Sequence, residues 1–196
     1  SSCPNPAPPT FCTLDVYTAC PRAETMSTPC RLSKLFEQYV RQTRAQNSFS
    51  VVVSKRLSFL GTTDHKRKSQ WQFPLHQSDC HAFAVAAEGQ VCHGGVIATV
   101  VQDATSMHIV SSDSRDRKAV TTEVSFSFLG VGKVGRTLQI DSKLLKVGQQ
   151  LSVAEAEVKD ITTGKLLAVG RHTMMFVGEE GSATRFSQSL NSVFDV

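Results

Sequence analysis

The sequence predicts a single α+β domain in which a curved antiparallel sheet wraps one long central helix. A mostly apolar stretch from His93 to about Val110 is long enough to form a buried helix, and a series of strand-like segments follows it. The length of 196 residues, of which 40% are hydrophobic and 19% are charged, fits one ordinary globular domain.

Three further elements are predicted before the central helix. From Arg31 to about Ala45 apolar side chains recur at the spacing of an amphipathic helix: Leu32, Leu35, Phe36, Tyr39 and Val40. Two strands should follow, because β-branched and aromatic residues are concentrated in two regions. The first region contains the runs Phe49–Val53 and Leu57–Leu60, and the second is Trp71–Phe73. The polar segment Gly61–Lys68 should form the turn between them.

Four strands are predicted after the central helix. In the first, apolar and polar residues alternate, which predicts one face with Val120, Thr122, Val124, Phe126 and Phe128, and another with Thr121, Glu123, Ser125 and Ser127. The others should contain Leu138–Ile140, Leu151–Val153 and Leu167–Met174, the last following a turn at Thr162–Lys165.

Both ends of the chain differ from this domain, which we place at residues 31–178. Residues 1–30 hold six of the seven prolines and show no periodicity, so we predict an extended proline-rich arm that docks on a partner surface. Residues 179–196 are polar with sparse apolar residues and are predicted to be a second docking arm.

Composition excludes several kinds of protein. No run of about 18 apolar residues occurs, which excludes a transmembrane helix. The six cysteines contain no CxxC pair, so we expect no structural zinc site and no other metal site. The net charge of +4 suits an anionic ligand without indicating a DNA-coating protein.

Two motifs carry a resemblance to a known family. The segment Cys92-His93-Gly94-Gly95-Val96-Ile97-Ala98-Thr99 resembles the HGG start of the central helix in hotdog-fold acyl-CoA thioesterases of the phenylacetate-type branch and its eukaryotic relatives. The segment Thr162–Thr173, which reads TTGKLLAVGRHT, is similar to the closing hairpin of the same family. The resemblance spans roughly Leu32 to Val177 and implies a hotdog fold.

The glycine pair also has a physical meaning of its own, because a helix N-terminus with uncovered N–H groups attracts negative charge. The resemblance implies that the Gly94 N–H polarises the thioester carbonyl and that His93 shapes the start of the helix. It also implies an Asp or Glu nine residues after His93, where this chain has Gln102. Glutamine has no basic site of useful pKa, so the usual catalytic carboxylate is missing.

Other residues are candidates to complete such a site. Asp103 or Glu88 could serve as a substitute base, although one step along a helix turns a side chain by about 100°. Ser106 and Thr121 match positions where relatives hold a water molecule. The family's second polar group, an Asn or Gln before the histidine, is absent, since Ala86 and Ala87 stand near that position.

Basic residues suggest contacts with phosphates. Lys66, Arg67 and Lys68 lie in one predicted loop, while Arg171 and His172 lie in the closing hairpin. These residues could bind the phosphates of coenzyme A or contact an RNA backbone nonspecifically. We predict no bound cofactor.

Two functions therefore remain open from the sequence. The first is hydrolysis of acyl-CoA thioesters, and the second is a catalytically degenerate hotdog scaffold that serves as a structural subunit of a larger assembly. Because the family's groove lies between protomers, we expect a homo-oligomer or a heterologous hotdog partner. We also expect a mitochondrial protein. This expectation rests on a chain that starts at Ser1 rather than Met and on the mitochondrial location that is common among the proteins it resembles.

Overall fold

The computed structural model describes residues 31–34, 37, 52–53, 55–81 and 90–181. The long helix α1 covers Gly94–Ser112, as the apolar stretch predicts. The strands are β1 (Ser58–Thr63), β2 (Lys68–Pro74), β3 (Lys118–Phe128), β4 (Thr137–Val147), β5 (Leu151–Asp160) and β6 (Leu166–Val177). The predicted α+β class and its helix wrapped by an antiparallel sheet are confirmed.

The strands form one antiparallel sheet in the order β1-β2-β4-β5-β6-β3. Strands β4, β5 and β6 form the predicted meander, but β3 does not join β4; it lies at the far edge beside β6. The segment that connects β3 to β4 passes beside residues 90–92. There Val91 pairs with Lys133, and the Gln90 carbonyl oxygen accepts a hydrogen bond from the Val134 N–H. Strands β1 and β3 are therefore the two edges.

The elements before the sheet differ partly from expectation. Residues 31–34 and 37 are helical, as predicted, and the rest of the predicted helix up to Ala45 lies outside the described residues. The strand predicted at Phe49–Val53 is wrong where it can be compared, since Val52 and Val53 are helical. Val53 is 4% exposed and packs in the core, so its burial outweighs a weak β preference.

A β-bulge at Thr122 changes the predicted faces of β3. Thr121 pairs with Met174 and Glu123 pairs with Thr173, so Thr122 is the extra residue. Because side chains alternate along a strand, one extra residue inverts the pattern on one side of the bulge. Thr121 thus shares the inner face with Val124, while Val120, predicted on the apolar face, is 45% exposed.

The core lies between α1 and the inner face of the sheet. Nine of the 19 residues of α1 are buried and none is fully exposed, and its apolar side chains pack against the inner face of the sheet. The largest fully buried side chains of that surface are Trp71, Phe73, Leu138, Ile140, Val158 and Leu167.

The β1–β2 turn has unusual backbone geometry. Asp64, His65 and Lys66 all have positive φ angles, of 54°, 51° and 69°. Residues other than glycine rarely adopt this region, so surrounding contacts must hold them there. Buried His108 of α1 supplies one, since its Nε2 lies 3.0 Å from the Lys66 carbonyl oxygen and its Nδ1 lies 2.9 Å from Ser142 Oγ.

Candidate functional site

The N-terminus of α1 presents one backbone donor to its surroundings. His93 is the N-cap residue, and its Nδ1 accepts a hydrogen bond of 2.9 Å from the Gly95 N–H. The Val96 N–H donates to the His93 carbonyl oxygen. Within the part of the chain that the structure describes, the Gly94 N–H has no acceptor, so it remains at the positive end of the helix dipole.

Buried ionic contacts hold this helix start in place. The His93 N–H donates to the Asp79 carbonyl oxygen at 2.8 Å. The Asp79 carboxylate, in turn, accepts hydrogen bonds of 2.5 and 2.7 Å from Arg56 and one of 2.8 Å from the His76 N–H. We name the Arg56–Asp79 pair the clamp, because it fixes the segment that places Gly94.

Electrostatics favour the charged form of the clamp. Burial alone raises the pKa of Asp79, but the hydrogen bonds from Arg56 and from the His76 backbone outweigh it, so the pKa lies below its ordinary value of 3.8. Arg56 also stacks over the Phe73 ring, with its guanidinium carbon 4.7 Å from the ring centroid.

An aromatic wall flanks Gly94, and sequence reasoning did not identify it. A Cβ atom placed on Gly94 would lie 3.2 Å from Cζ of Phe128, which ends β3. Phe128 stacks on Phe126 with ring centroids 6.1 Å apart and is 51% exposed. Phe126 fits only because Gly170 lacks a side chain, since a Cβ there would lie 2.5 Å from the ring. Gly94 therefore lies against a partly exposed apolar surface.

A second group of polar side chains lies near the middle of α1. His172 of β6 places Nδ1 2.7 Å from Thr105 Oγ1 and Nε2 2.9 Å from Thr121 Oγ1. The Gln102 amide donates to the same Thr121 oxygen at 3.4 Å. We name these four residues the hydroxyl–imidazole network.

The position of His172 differs from the expectation that it faces phosphates. Its side chain is 1% exposed, and burial lowers its pKa to about 4, so the ring is neutral at pH 7. A neutral ring inside the sheet offers no charge to a phosphate. Arg171, its neighbour, is exposed and lies 3.9 Å from Glu155 across β5.

The other predicted catalytic residues lie close to this network. Asp103 follows Gln102 on α1 and points about 100° away around the helix axis. Ser106, one turn after Gln102, lies on the same side of α1 and is half-buried. Glu88, like Ala86 and Ala87, lies outside the described residues.

The basic loop lies far from Gly94. Lys66 and Arg67 line a cavity of about 470 Å³ beside the C-terminal end of α1, together with Arg31, His65 and Lys146. The 19-residue helix is about 27 Å long, so Gly94 and this cavity lie at opposite ends of it. Exposed Lys68 begins β2 next to the same turn. The structure therefore does not bring these basic loop residues together with Gly94.

Comparisons with known proteins bear on this arrangement. The family model of the thioesterase superfamily matches residues 89–167, which include α1 and β3 to β5. The mouse protein acyl-coenzyme A thioesterase 13 is 33% identical over 81 residues, covering 41% of this chain and 57% of that protein. The chain thus matches little more than half the length of its curated relative.

Solved structures agree on the architecture. Zebrafish thioesterase superfamily member 2 superimposes with a TM-score of 0.63 at 23% identity, covering 74% of this chain and 97% of that one. The resemblance to the hotdog thioesterases is confirmed. A Streptococcus mutans protein solved with acetyl CoA has a TM-score of 0.54 at 20% identity and covers 63% of this chain and 90% of its own. Because both structures are less than 25% identical to this chain, their superposition establishes the fold and not the activity.

The described ranges contain neither a cluster of metal-binding side chains nor a helix that could span a membrane. Among the described residues no three His, Cys, Asp or Glu side chains form a group suited to a metal ion. None of the helices described has the length and apolar character needed to cross a membrane.

The clamp generates a prediction for stability and its pH dependence. Asp79→Asn should lower the free energy of unfolding by about 2–3 kcal/mol at pH 7, because buried Arg56 loses its charged partner. Since the pKa of Asp79 is lower in the folded state, its contribution is complete above the ordinary value of 3.8 and is lost as the pH falls through the folded pKa. Urea titrations at several pH values measure both effects.

The matched control is Asp141→Asn. Asp141 lies 3.5 Å from Lys159 in a partly exposed pair, so the same substitution should change stability by no more than about 1 kcal/mol. Equal effects of the two substitutions at pH 7 would contradict a special role for the clamp.

Proposed function

We propose that the protein hydrolyses acyl-CoA thioesters. The observation that carries this proposal is the Gly94 N–H at the start of α1, which has no acceptor among the described residues. A thioester carbonyl gains negative charge on its oxygen during attack by water. A fixed N–H at a helix N-terminus stabilises that charge without reorganising. The partly exposed aromatic wall beside it suits an acyl or pantetheine chain.

The comparisons support the same substrate class. The mouse relative is named an acyl-coenzyme A thioesterase, and the Streptococcus mutans structure contains acetyl CoA. The matched segment includes Gly94 and Gln102, so the resemblance covers the helix that carries the proposed chemistry. Contact of the basic residues with an RNA backbone and a mitochondrial location stay predictions.

We further propose that a second copy of the chain completes the site. Gln102 follows Gly94 by eight residues, or about 12 Å along α1, whereas a reacting carbonyl needs its oxyanion donor and its attacking water each about 3 Å away. Two copies related by a twofold axis can bring Gly94 of one copy near the hydroxyl–imidazole network of the other.

The edge strand β3 provides a surface for such pairing. It is an 11-residue edge of the sheet, and long exposed edges favour association with another strand. Phe128, Leu129 and Val131 at its end are 51%, 58% and 47% exposed. This apolar group lies beside Gly94, so pairing there would cover the aromatic wall as well.

Light scattering after size exclusion tests this assembly. We expect a mass of about twice 21.3 kDa, and Leu129→Asp should shift the protein towards the monomer because it places a charge in the apolar contact. The control is Val147→Asp, because Val147 is also exposed, at 44%, and lies at the end of β4 near the cavity beside the C-terminal end of α1. A wild-type monomer at working concentrations would overturn the shared site.

Hydrolysis of a panel of acyl-CoAs by the purified protein, followed through the released thiol, tests the activity itself. Gly94→Pro removes the N–H at the first helical position, where proline is tolerated, and should reduce kcat by about 10²–10³-fold. Gly94→Ala keeps the N–H and presses only on the exposed Phe128 ring, so it should retain most of the activity. Equal losses in both variants would mean that the N–H is not the oxyanion donor.

Gln102 separates this proposal from the scaffold alternative, which the missing carboxylate favours. Gln102→Glu places a carboxylate of nearly equal size 3 to 4 Å from the Thr121 hydroxyl, judged from the present amide contact of 3.4 Å. If the site is intact, hydrolysis should increase by up to about 10²-fold, the low end of general-base contributions.

The alternative has a distinct outcome. A catalytically degenerate scaffold would be supported if neither the wild-type protein nor the Gln102→Glu variant hydrolyses acyl-CoA while both remain folded and dimeric. Melting temperatures of the two proteins establish that the comparison concerns folded material.

A further inference from the structure

The hydrogen bonds of the hydroxyl–imidazole network assign its protons. The Thr105 hydroxyl has one proton, and two carbonyl oxygens of α1 are within hydrogen-bond distance of it, that of Val101 at 2.7 Å and that of Gln102 at 3.1 Å. When the hydroxyl donates to either carbonyl, Thr105 Oγ1 accepts the hydrogen bond of 2.7 Å from Nδ1–H of His172. Because the buried ring is neutral, its Nε2 has no proton.

This assignment fixes the orientation of the Thr121 hydroxyl. Thr121 Oγ1 lies 2.9 Å from the unprotonated Nε2 of His172, so the hydroxyl donates its proton to the ring. Its lone pairs then face away from His172 towards the Gln102 amide and the exposed side of β3. Thr121 is an exposed residue, which leaves its oxygen accessible as an acceptor.

The arrangement has the parts of an activated hydroxyl. A hydroxyl lies within hydrogen-bond distance of a base, and a third group orients that base. Here Thr121, His172 and Thr105 fill these three positions, and they lie on three different elements, β3, β6 and α1.

We infer that His172 replaces the missing carboxylate as the proton acceptor for hydrolysis, and that it acts through the Thr121 hydroxyl on an attacking water molecule. This inference rests on the proposed thioesterase function and deepens it. His172 is thus a positioning residue for Thr121, which contacts the water.

The step balances as follows. Water donates a proton to Thr121 Oγ1 while the hydroxyl proton of Thr121 passes to Nε2 of His172. The water oxygen bonds to the thioester carbon, and the C=O electron pair moves to the oxygen that faces a Gly94 N–H. The C–S bond then breaks, the thiolate leaves, and the proton on His172 returns through Thr121 to the sulfur, giving a free acid and a thiol.

The basicity of His172 suits this role. Burial lowers its pKa to about 4, close to that of an ordinary Asp or Glu, so the ring matches the carboxylate that it would replace. The nearest charged residues in the sheet, Glu123, Glu155 and Arg171, alternate to the outer face. Asp103 and His108 are the titratable neighbours of Thr105 on α1, and His108 contacts Ser142 and Lys66 instead.

Four variants test the inference in the acyl-CoA assay. Thr121→Val removes the hydroxyl with little change of shape and should reduce kcat by at least about 10²-fold, while Thr121→Ser should retain activity within a few fold. His172→Gln can still accept a hydrogen bond from Thr121 but cannot take up its proton, so it should lose a similar factor. Ser152→Ala is the control, because Ser152 is a fully buried hydroxyl on β5 with no hydrogen-bond partner among the described residues.

The pH profile separates proton uptake from a structural role. In wild-type protein kcat/KM should be flat from about pH 6 to 8, above the pKa of the base. In His172→Gln the remaining activity should rise about tenfold per pH unit, because hydroxide replaces the lost base. A flat profile with reduced activity in this variant would mean that His172 only holds the fold, and would overturn the inference.

The proton positions have a readout that needs no activity. The ¹⁵N chemical shifts of the His172 ring should show a proton on Nδ1 and none on Nε2, and Thr105→Val should alter that pattern. A proton on Nε2 in wild-type protein would overturn the inference.

The outcomes distinguish this inference from the proposed function. An active wild-type protein whose Thr121→Val and His172→Gln variants keep full activity overturns the inference alone. A wild-type protein with no hydrolysis overturns the proposed function, and the role of His172 in hydrolysis with it.

Discussion

The enclosure of α1 by the sheet is the constraint on which the rest of the structure depends. A helix buried on most of its surface supplies the main apolar core, but it also removes from water every polar side chain that it carries inward. Thr105 and His108 are both buried on α1, and each must find a partner. Thr105 meets His172 of the sheet, and His108 meets Ser142 and the Lys66 carbonyl.

The same enclosure explains how two ends of one helix acquire different properties. At the N-terminus, His93 caps Gly95 and leaves the Gly94 N–H open, while the clamp holds the preceding segment. At the C-terminus, His108 holds a turn of unusual backbone geometry, and basic residues line a cavity there. Because α1 is rigid and about 27 Å long, these two regions keep a fixed separation.

Local patterns in the sequence were sufficient for the helix and the strands after it. The apolar stretch and the glycine pair located α1 at its actual start, since helix starts and apolar periodicity are local properties. The bulge at Thr122 was not predictable, because its evidence is a register with β6, about 50 residues away. Val53 was misassigned for a related reason, since its helical state depends on burial rather than on its own propensity.

The candidate site follows the same division. Gly94, His93 and the loss of the carboxylate at Gln102 follow from one segment and its resemblance to a family. The pairing of His172 with Thr105 and Thr121 joins residues 67 and 51 positions apart, which no local pattern records. The alternation of apolar and polar residues even suggested that Thr121 faces outward, because it took no account of the bulge.

That bulge also restricts how this protein can change over evolutionary time. Point substitutions in β3 alter one side chain each, but a single-residue deletion between Lys118 and Thr122 would exchange the two faces of the strand's first part. Val120 would then turn towards α1, and Thr121 would leave His172 with an unsatisfied buried nitrogen. Related chains should therefore vary in residue type along this edge outside Thr121, while keeping the number of residues in it unchanged.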